Sequence, residues 1–173
     1  MKSFLVLILL LSVVVNTYAQ KAVKDSVGEK EGIAVAEFGG AASGNISGGR
    51  SSFGYSVAVE ATPIENWLEL ELGYTSTYSR RLTDKGLDVL FKKPWTLSPK
   101  AEFMFGIGLA WDHTKEYNVV TNSVGGEIAL DFMFWPSGKH RFGWYLEPAY
   151  EYGFGNGHEQ SVGMSAGLLV SIP

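Results

Sequence analysis

The sequence predicts an all-β chain: a single eight-stranded antiparallel up-and-down transmembrane β-barrel, preceded by a cleaved signal peptide. Three observations predict it. Beyond the first twenty residues, apolar positions recur every second residue, not every third or fourth. The alternating segments number about eight and run roughly 9 to 13 residues, the length a tilted strand needs to cross a bilayer. The breaks between them fall into two chemical classes that alternate along the chain.

The N-terminus comes first. Lys2 supplies a positive start, Phe4 to Val15 is almost unbroken Leu, Val and Ile, and Thr17-Tyr18-Ala19 closes the stretch on small residues. Those are the parts of a secretory signal peptide, expected to span 1–19. The alternative, a membrane anchor, needs about 18 to 20 apolar residues, more than this run offers. Residues 20–30 are expected to be an N-terminal periplasmic segment and 31–173 the barrel.

The clearest strands follow. Leu68, Leu70, Leu72 and Tyr74 interleave with Glu69, Glu71, Gly73 and Thr75. Phe103, Phe105, Ile107, Leu109 and Trp111 interleave with Glu102, Met104, Gly106, Gly108, Ala110 and Asp112. Ile128, Leu130, Phe132 and Phe134 alternate with Glu127, Ala129, Asp131 and Met133, and Val162 to Ile172 alternates with Gly and Ser. Successive strand side chains point to opposite faces, so each segment has one apolar face and one small or acidic face. Weaker copies lie at 53–60, at 85–93 and at 142–154. The first strand, about 31–41, is least clear, because Ile33 and Val35 share parity with Glu37.

The second, fourth and sixth breaks, 62–66, 93–99 and 136–140, each contain Pro; the other four, near 42–51, 79–85, 113–122 and 155–160, do not. Rigid Pro turns at one rim and looser loops at the other suit periplasmic and external ends respectively, which puts Pro63, Pro94 and Pro136 inside and Gly44 and Asn118 outside. Trp67, Trp95 and Trp135 are expected at the Pro rim and Tyr78, Trp111 and Tyr117 at the other, as two aromatic belts. Pro148 falls inside the seventh strand and reads as a bulge or bend.

Composition agrees. Charged residues are 18% and Gly is 21 of 173, against about 25% and about 7% in ordinary soluble chains. The full chain carries 14 Lys and Arg and 18 Asp and Glu; removing 1–19 takes Lys2 and leaves 13 against 18, a net charge of −5. That excludes a nucleic-acid partner, which needs a basic surface. With no Cys, the exported chain is held together without disulfides. A soluble lipocalin-like barrel would share the period but turn its apolar face inward, and a β-sandwich would not give two classes of turn.

The segments WLELELGYT, AEFMFGIGLAWD, EIALDFMFW, WYLEPAYEYGFG and SVGMSAGLLVSI resemble the small outer-membrane β-barrel superfamily of OmpA/OmpX-like eight-stranded proteins, from about residue 31 onward. The closing Ile172-Pro173 departs from the final aromatic usual in such barrels. The resemblance implies a Gram-negative outer membrane location, with outer-membrane lipids and the assembly machinery as partners and an unidentified partner at the external loops. It implies a structural, surface-interaction or minor permeability role.

By parity, Glu60, Glu69, Glu71, Asp88, Glu102, Glu127, Asp131, Glu147 and Glu151 point into the lumen, with Arg50, Arg81, Lys92, Lys100 and Arg141 as possible partners. An isolated charge in a dry interior is costly, so the lumen is expected to hold water, ion-pair networks, protonated carboxyls or cations. A polar plug is the favoured reading, because eight-stranded barrels are filled by side chains; a cation-favouring path is the alternative. His113, His140 and His158 are expected in loops or turns, without the convergence a zinc site needs. His158, Ser161 and Glu151 invite comparison with lipid-modifying hydrolases, but their spacing is not specific. No catalytic residue, cofactor site or metal site is assigned, and the chain is not expected to be an enzyme.

Overall fold

The computed structural model of the protein describes residues 34–172 apart from Ser47, Arg81, Gly138, Lys139 and Asn156. The expected signal peptide, the 20–30 segment and Arg81 lie outside the described residues. Eight strands make up the described chain: β1 Ala34–Asn45, β2 Arg50–Ile64, β3 Leu68–Tyr78, β4 Leu82–Ser98, β5 Ala101–Glu116, β6 Val119–Phe134, β7 Phe142–Gly153 and β8 Gln160–Ile172. Each pairs antiparallel with the next, and β8 closes on β1 from Ala34 opposite Ile172 to Asn45 opposite Ser161. An even strand number puts both ends of the barrel at one rim, here the terminal rim; the turns after β1, β3, β5 and β7 form the distal rim.

The two-residue period fixes this register, since slipping by one residue would turn every apolar side chain into the lumen. The outer face is a band of exposed Phe38, Val59, Phe91, Ile107, Leu109, Val124 and Leu168, among others. A contiguous apolar surface of that kind suits lipid and not water. Toward the terminal rim the band becomes aromatic: Trp95 stacks on Phe103 at 5.6 Å, Phe103 meets Phe132 at 5.1 Å, and Phe134 stacks on Trp144 at 4.0 Å.

The strands are longer than alternation alone suggests, up to 17 residues in β4 and 16 in β5 and β6. Three of the four non-Pro breaks shrink accordingly, and the last, 154–159, keeps its expected length. The expected loop at 113–122 is a two-residue turn at 117–118, and the one at 79–85 is 79–81. Pro94 is no turn residue: it lies within β4 opposite Met104, beyond the end of β3, where no β3 partner is left to miss its N–H. The turn follows at 99–100, after a register shift between Thr96 and Ser98. Pro148 makes no bulge either. The β6–β7 ladder opens between Ala129–Ala149 and Phe132–Leu146 and resumes in the same register, so the proline removes rungs without bending the count. Trp135 leaves the expected belt: it is buried in the lumen, while Trp67 and Trp95 are exposed at that rim.

One row across the barrel wall explains two glycines. Tyr145 of β7 pairs with Gly167 of β8, Gly167 with Gly39 of β1, and Gly39 with Ser56 of β2. The Tyr145 side chain crosses the two glycines, and its hydroxyl meets the Ser56 Oγ at 3.0 Å. A Cβ on Gly39 would sit 2.5 Å from that hydroxyl, and one on Gly167 would collide with the Phe38 carbonyl. Glycine is required there for close approach.

Candidate functional site

The lumen has two unlike halves. Nearer the terminal rim, Met104, Met133, Trp135, Tyr145 and Leu169 form a buried apolar cluster with Val35 packed against it. On β1, β6 and β7 the apolar residue lies one inward position closer to the terminal rim than the acid: Val35 before Glu37, Met133 after Asp131, Tyr145 before Glu147; on β5 the order is reversed, with Glu102 nearer that rim than Met104. The Trp135 Nε1 donates to Glu102 Oε2 at 3.4 Å at the edge of this layer.

Above it lies Lys92, 1% exposed. Its ammonium donates to Glu71 Oε2, to Asp131 Oδ2 at 3.1 Å and to Glu147 Oε2 at 2.6 Å. Glu60 Oε1 is an ion-pair neighbour at 3.7 Å. An ammonium has three N–H donors, and all three are committed. Glu37, Glu71 and Asp131 can each offer one oxygen within 4.8 Å of the others.

Distal to Lys92 the lumen opens into a well of about 1100 Å³. Its walls reach residues of all four distal turns and none of the terminal turns. Ten carboxylates line it: Glu37, Glu71, Asp84, Asp88, Asp112, Glu116, Glu127, Glu147, Glu151 and Glu159; Arg50 is the single Lys or Arg among the described lining residues. Arg50 is taken up by Glu116 at 2.7 Å, half-exposed near the rim. Thr114 Oγ1 donates to Asp84 Oδ1 at 2.6 Å.

Solved structures share this architecture. Neisserial surface protein A (NspA) superposes with a TM-score of 0.64 at 15% identity, covering 80% of this chain and 96% of that one. The outer membrane protein OprG of Pseudomonas aeruginosa gives 0.62 at 10% identity, with 84% and 98% covered. This is the fold of the small outer-membrane β-barrels. The outer membrane enzyme PagL has the same fold, at a TM-score of 0.52 and 10% identity over 80% and 99% of the two chains. No family model matches the sequence, and no curated protein matches it. At these identities the likeness to outer-membrane barrels concerns the fold.

Within the barrel, Glu60, Glu69, Glu71, Glu102, Glu127, Asp131, Glu147 and Glu151 all sit on the inward parity of their strands. Lys92 brings four of them together: Glu60, Glu71, Asp131 and Glu147. Glu102 instead meets Trp135, and Glu127 and Glu151 line the well. The other expected bases do not join them, since Lys100 and Arg141 lie in terminal turns and Arg50 is at the distal rim. Sequence reasoning missed Glu37, Asp84, Asp112 and Glu116. The last three share the inward parity of Asp88 and Glu102: Asp84 and Glu116 were lost by starting β4 too late and ending β5 too early, and Asp112, though on the inward face of the expected strand, was not counted among the lumen acids. His113 is a strand residue of β5, not a loop residue, and its Nδ1 lies 2.9 Å from Asn122 Oδ1 on β6. His140 stacks on Trp135 at 5.0 Å and His158 on Tyr152 at 5.5 Å, so the three histidines do not converge.

Proposed function

We propose that this chain is an exported, integral outer-membrane protein without an enzymatic step. It is a closed barrel that stands in the bilayer as an anchor and presents an acidic, blind-ended well at its external rim. The observation that carries this reading is the floor. The Lys92 network lies directly over the apolar layer of Met104, Met133, Trp135 and Leu169. Polar groups held in a tight network above packed methionine and leucine leave no aqueous path through the lower half. The apolar outer band and the likeness to outer-membrane barrels support the location. With turns this short at the distal rim, any surface interaction is made by the mouth of the well and not by extended loops.

A soluble ligand-binding barrel is disfavoured by the same band, because its apolar face would have to lie inside. The alternative of a lipid-modifying hydrolase lacks support from His158, which stacks on Tyr152 and has no hydrogen bond to Ser161 or Glu151 among the described residues. A second reading, a minor cation-favouring leak, is favoured by the ten wall carboxylates.

Reconstitution in planar bilayers tests both. The wild-type barrel is expected to give no steady conductance, and any leak should favour cations and weaken in Glu102→Gln and Glu127→Gln. A large, stable, anion-selective conductance overturns the reading. Orientation is checked in the same preparation of cells: Asn118→Cys should react with an impermeant thiol reagent on intact cells, and Pro136→Cys should not.

A further inference from the structure

The floor of the well contains more negative charge than Lys92 can meet. Five carboxyls, those of Glu37, Glu60, Glu71, Asp131 and Glu147, surround one ammonium whose three donors go to Glu71, Asp131 and Glu147. Nothing remains for the others. Glu37 Oε1, Asp131 Oδ1 and both oxygens of Glu60 are fully buried and have no hydrogen-bond donor among the described residues. Buried, unpartnered carboxylate oxygens are costly, and side chains of this kind persist where a cation or a proton completes them. Two of those orphaned oxygens belong to residues that already converge: Glu37, Glu71 and Asp131 bring an oxygen each within 4.8 Å of one another, and the residues are only 1%, 2% and 0% exposed.

We infer that Glu37, Glu71 and Asp131 bind one hard divalent cation, calcium or magnesium, beside Lys92 at the floor of the well. The donor set decides the class. It is all oxygen; the chain has no Cys and its three His lie elsewhere, and an all-carboxylate site selects hard cations over zinc or copper. Access is from the distal side, because Glu37 and Glu71 are themselves part of the well wall. The wall acids above them, Asp88 and Glu127 among them, raise the local cation concentration at the mouth. The ion and Lys92 share Glu71 and Asp131, so the lysine is a tethered first cation and the metal completes what it cannot reach. The inference does not depend on whether the barrel conducts.

Calorimetric titration of the refolded, chelator-stripped barrel in a zwitterionic detergent, with calcium chloride and separately with magnesium chloride, tests it. Saturable binding of one ion per barrel is expected for at least one metal. Glu37→Gln and Asp131→Asn should each weaken it about tenfold or more, while Glu151→Gln, a wall acid outside the triad, should stay within about threefold of wild type. A heat-dependent gel position confirms that each variant is folded. Should the floor variants fail to fold, the wild-type titration still decides. No saturable binding at millimolar metal, the weak end of extracellular calcium sites, overturns the proposal. So does equal affinity in Glu37→Gln and Glu151→Gln, which would put the metal on the wall.

Discussion

Lys92 holds together more of the interior than any other described side chain. Its stem runs past Gly106, where an added Cβ would lie 3.0 Å from the lysine Cγ, and its head ties β3, β6 and β7 together. Truncation to Lys92→Met keeps the stem and deletes the charge, leaving the buried carboxyls of Glu37, Glu60, Glu71 and Asp131 and the partly buried Glu147 with no ammonium among them. Removing one partner from a buried charge cluster costs about 3–5 kcal/mol. The urea midpoint of the refolded barrel, read by the loss of its heat-resistant gel position, should fall accordingly; an unchanged midpoint would mean the network contributes nothing. This residue was legible in the sequence, since it shares the parity of Asp88 on a strand whose other face is Leu87, Val89 and Phe91. Glu37 was not. Its inward-facing neighbour Val35 is apolar because it packs on the layer beneath, and apolar residues on the acidic parity concealed the acid.

At the level of the strand, period two assigned the two faces correctly wherever the outer side was strongly apolar. Phe105 of β5 pairs with Leu130 of β6 on the outer face, and Gly106 follows on the inner one. Phe105→Arg should therefore cost about 2–4 kcal/mol in lipid vesicles, by placing a guanidinium in hydrocarbon. Gly106→Ala acts differently, by pushing on the Lys92 stem, and should cost less. Urea titration of both beside Phe105→Leu separates the effects; equal stability of Phe105→Arg and Phe105→Leu would contradict the face assignment. Strand ends were less legible. Between β5 and β6 the polar run from His113 to Asn122 looks like a loop, yet His113 pairs with Asn122 and Glu116 with Val119. The chain reverses at Tyr117 with a φ of 52°, a left-handed conformation that an aromatic residue does not advertise. Cross-strand pairing outside the apolar band needs no hydrophobic alternation, so the pattern that marks strands fades while the ladder continues.

For the molecule as a whole, the closed eight-strand barrel was legible, and its division into a dry base and a wet well was not. Inward residues were read as one polar class, whereas Met104, Met133 and Leu169 share the inward parity with the acids of the well and lie nearer the terminal rim, with Glu102 at the edge of their layer. Height is set by strand stagger around the barrel, which no single strand reveals. Stagger also gives the Tyr145 row its meaning. The hydroxyl of Tyr145 on β7 touches Ser56 on β2 across both β8 and β1, so this contact cannot exist until the first and last strands of the chain have met. Every neighbouring hairpin can form without it. The bond is thus a record of order in time: it dates the moment of closure. If closure follows the rate-limiting step, Tyr145→Phe should speed unfolding and leave the folding rate near wild type, a split that stopped-flow refolding into detergent resolves. A slowed folding arm would instead place the meeting of β1 and β8 at the summit of the barrier, and make the two ends of the sequence, farthest apart in the chain, the pair that sets its pace.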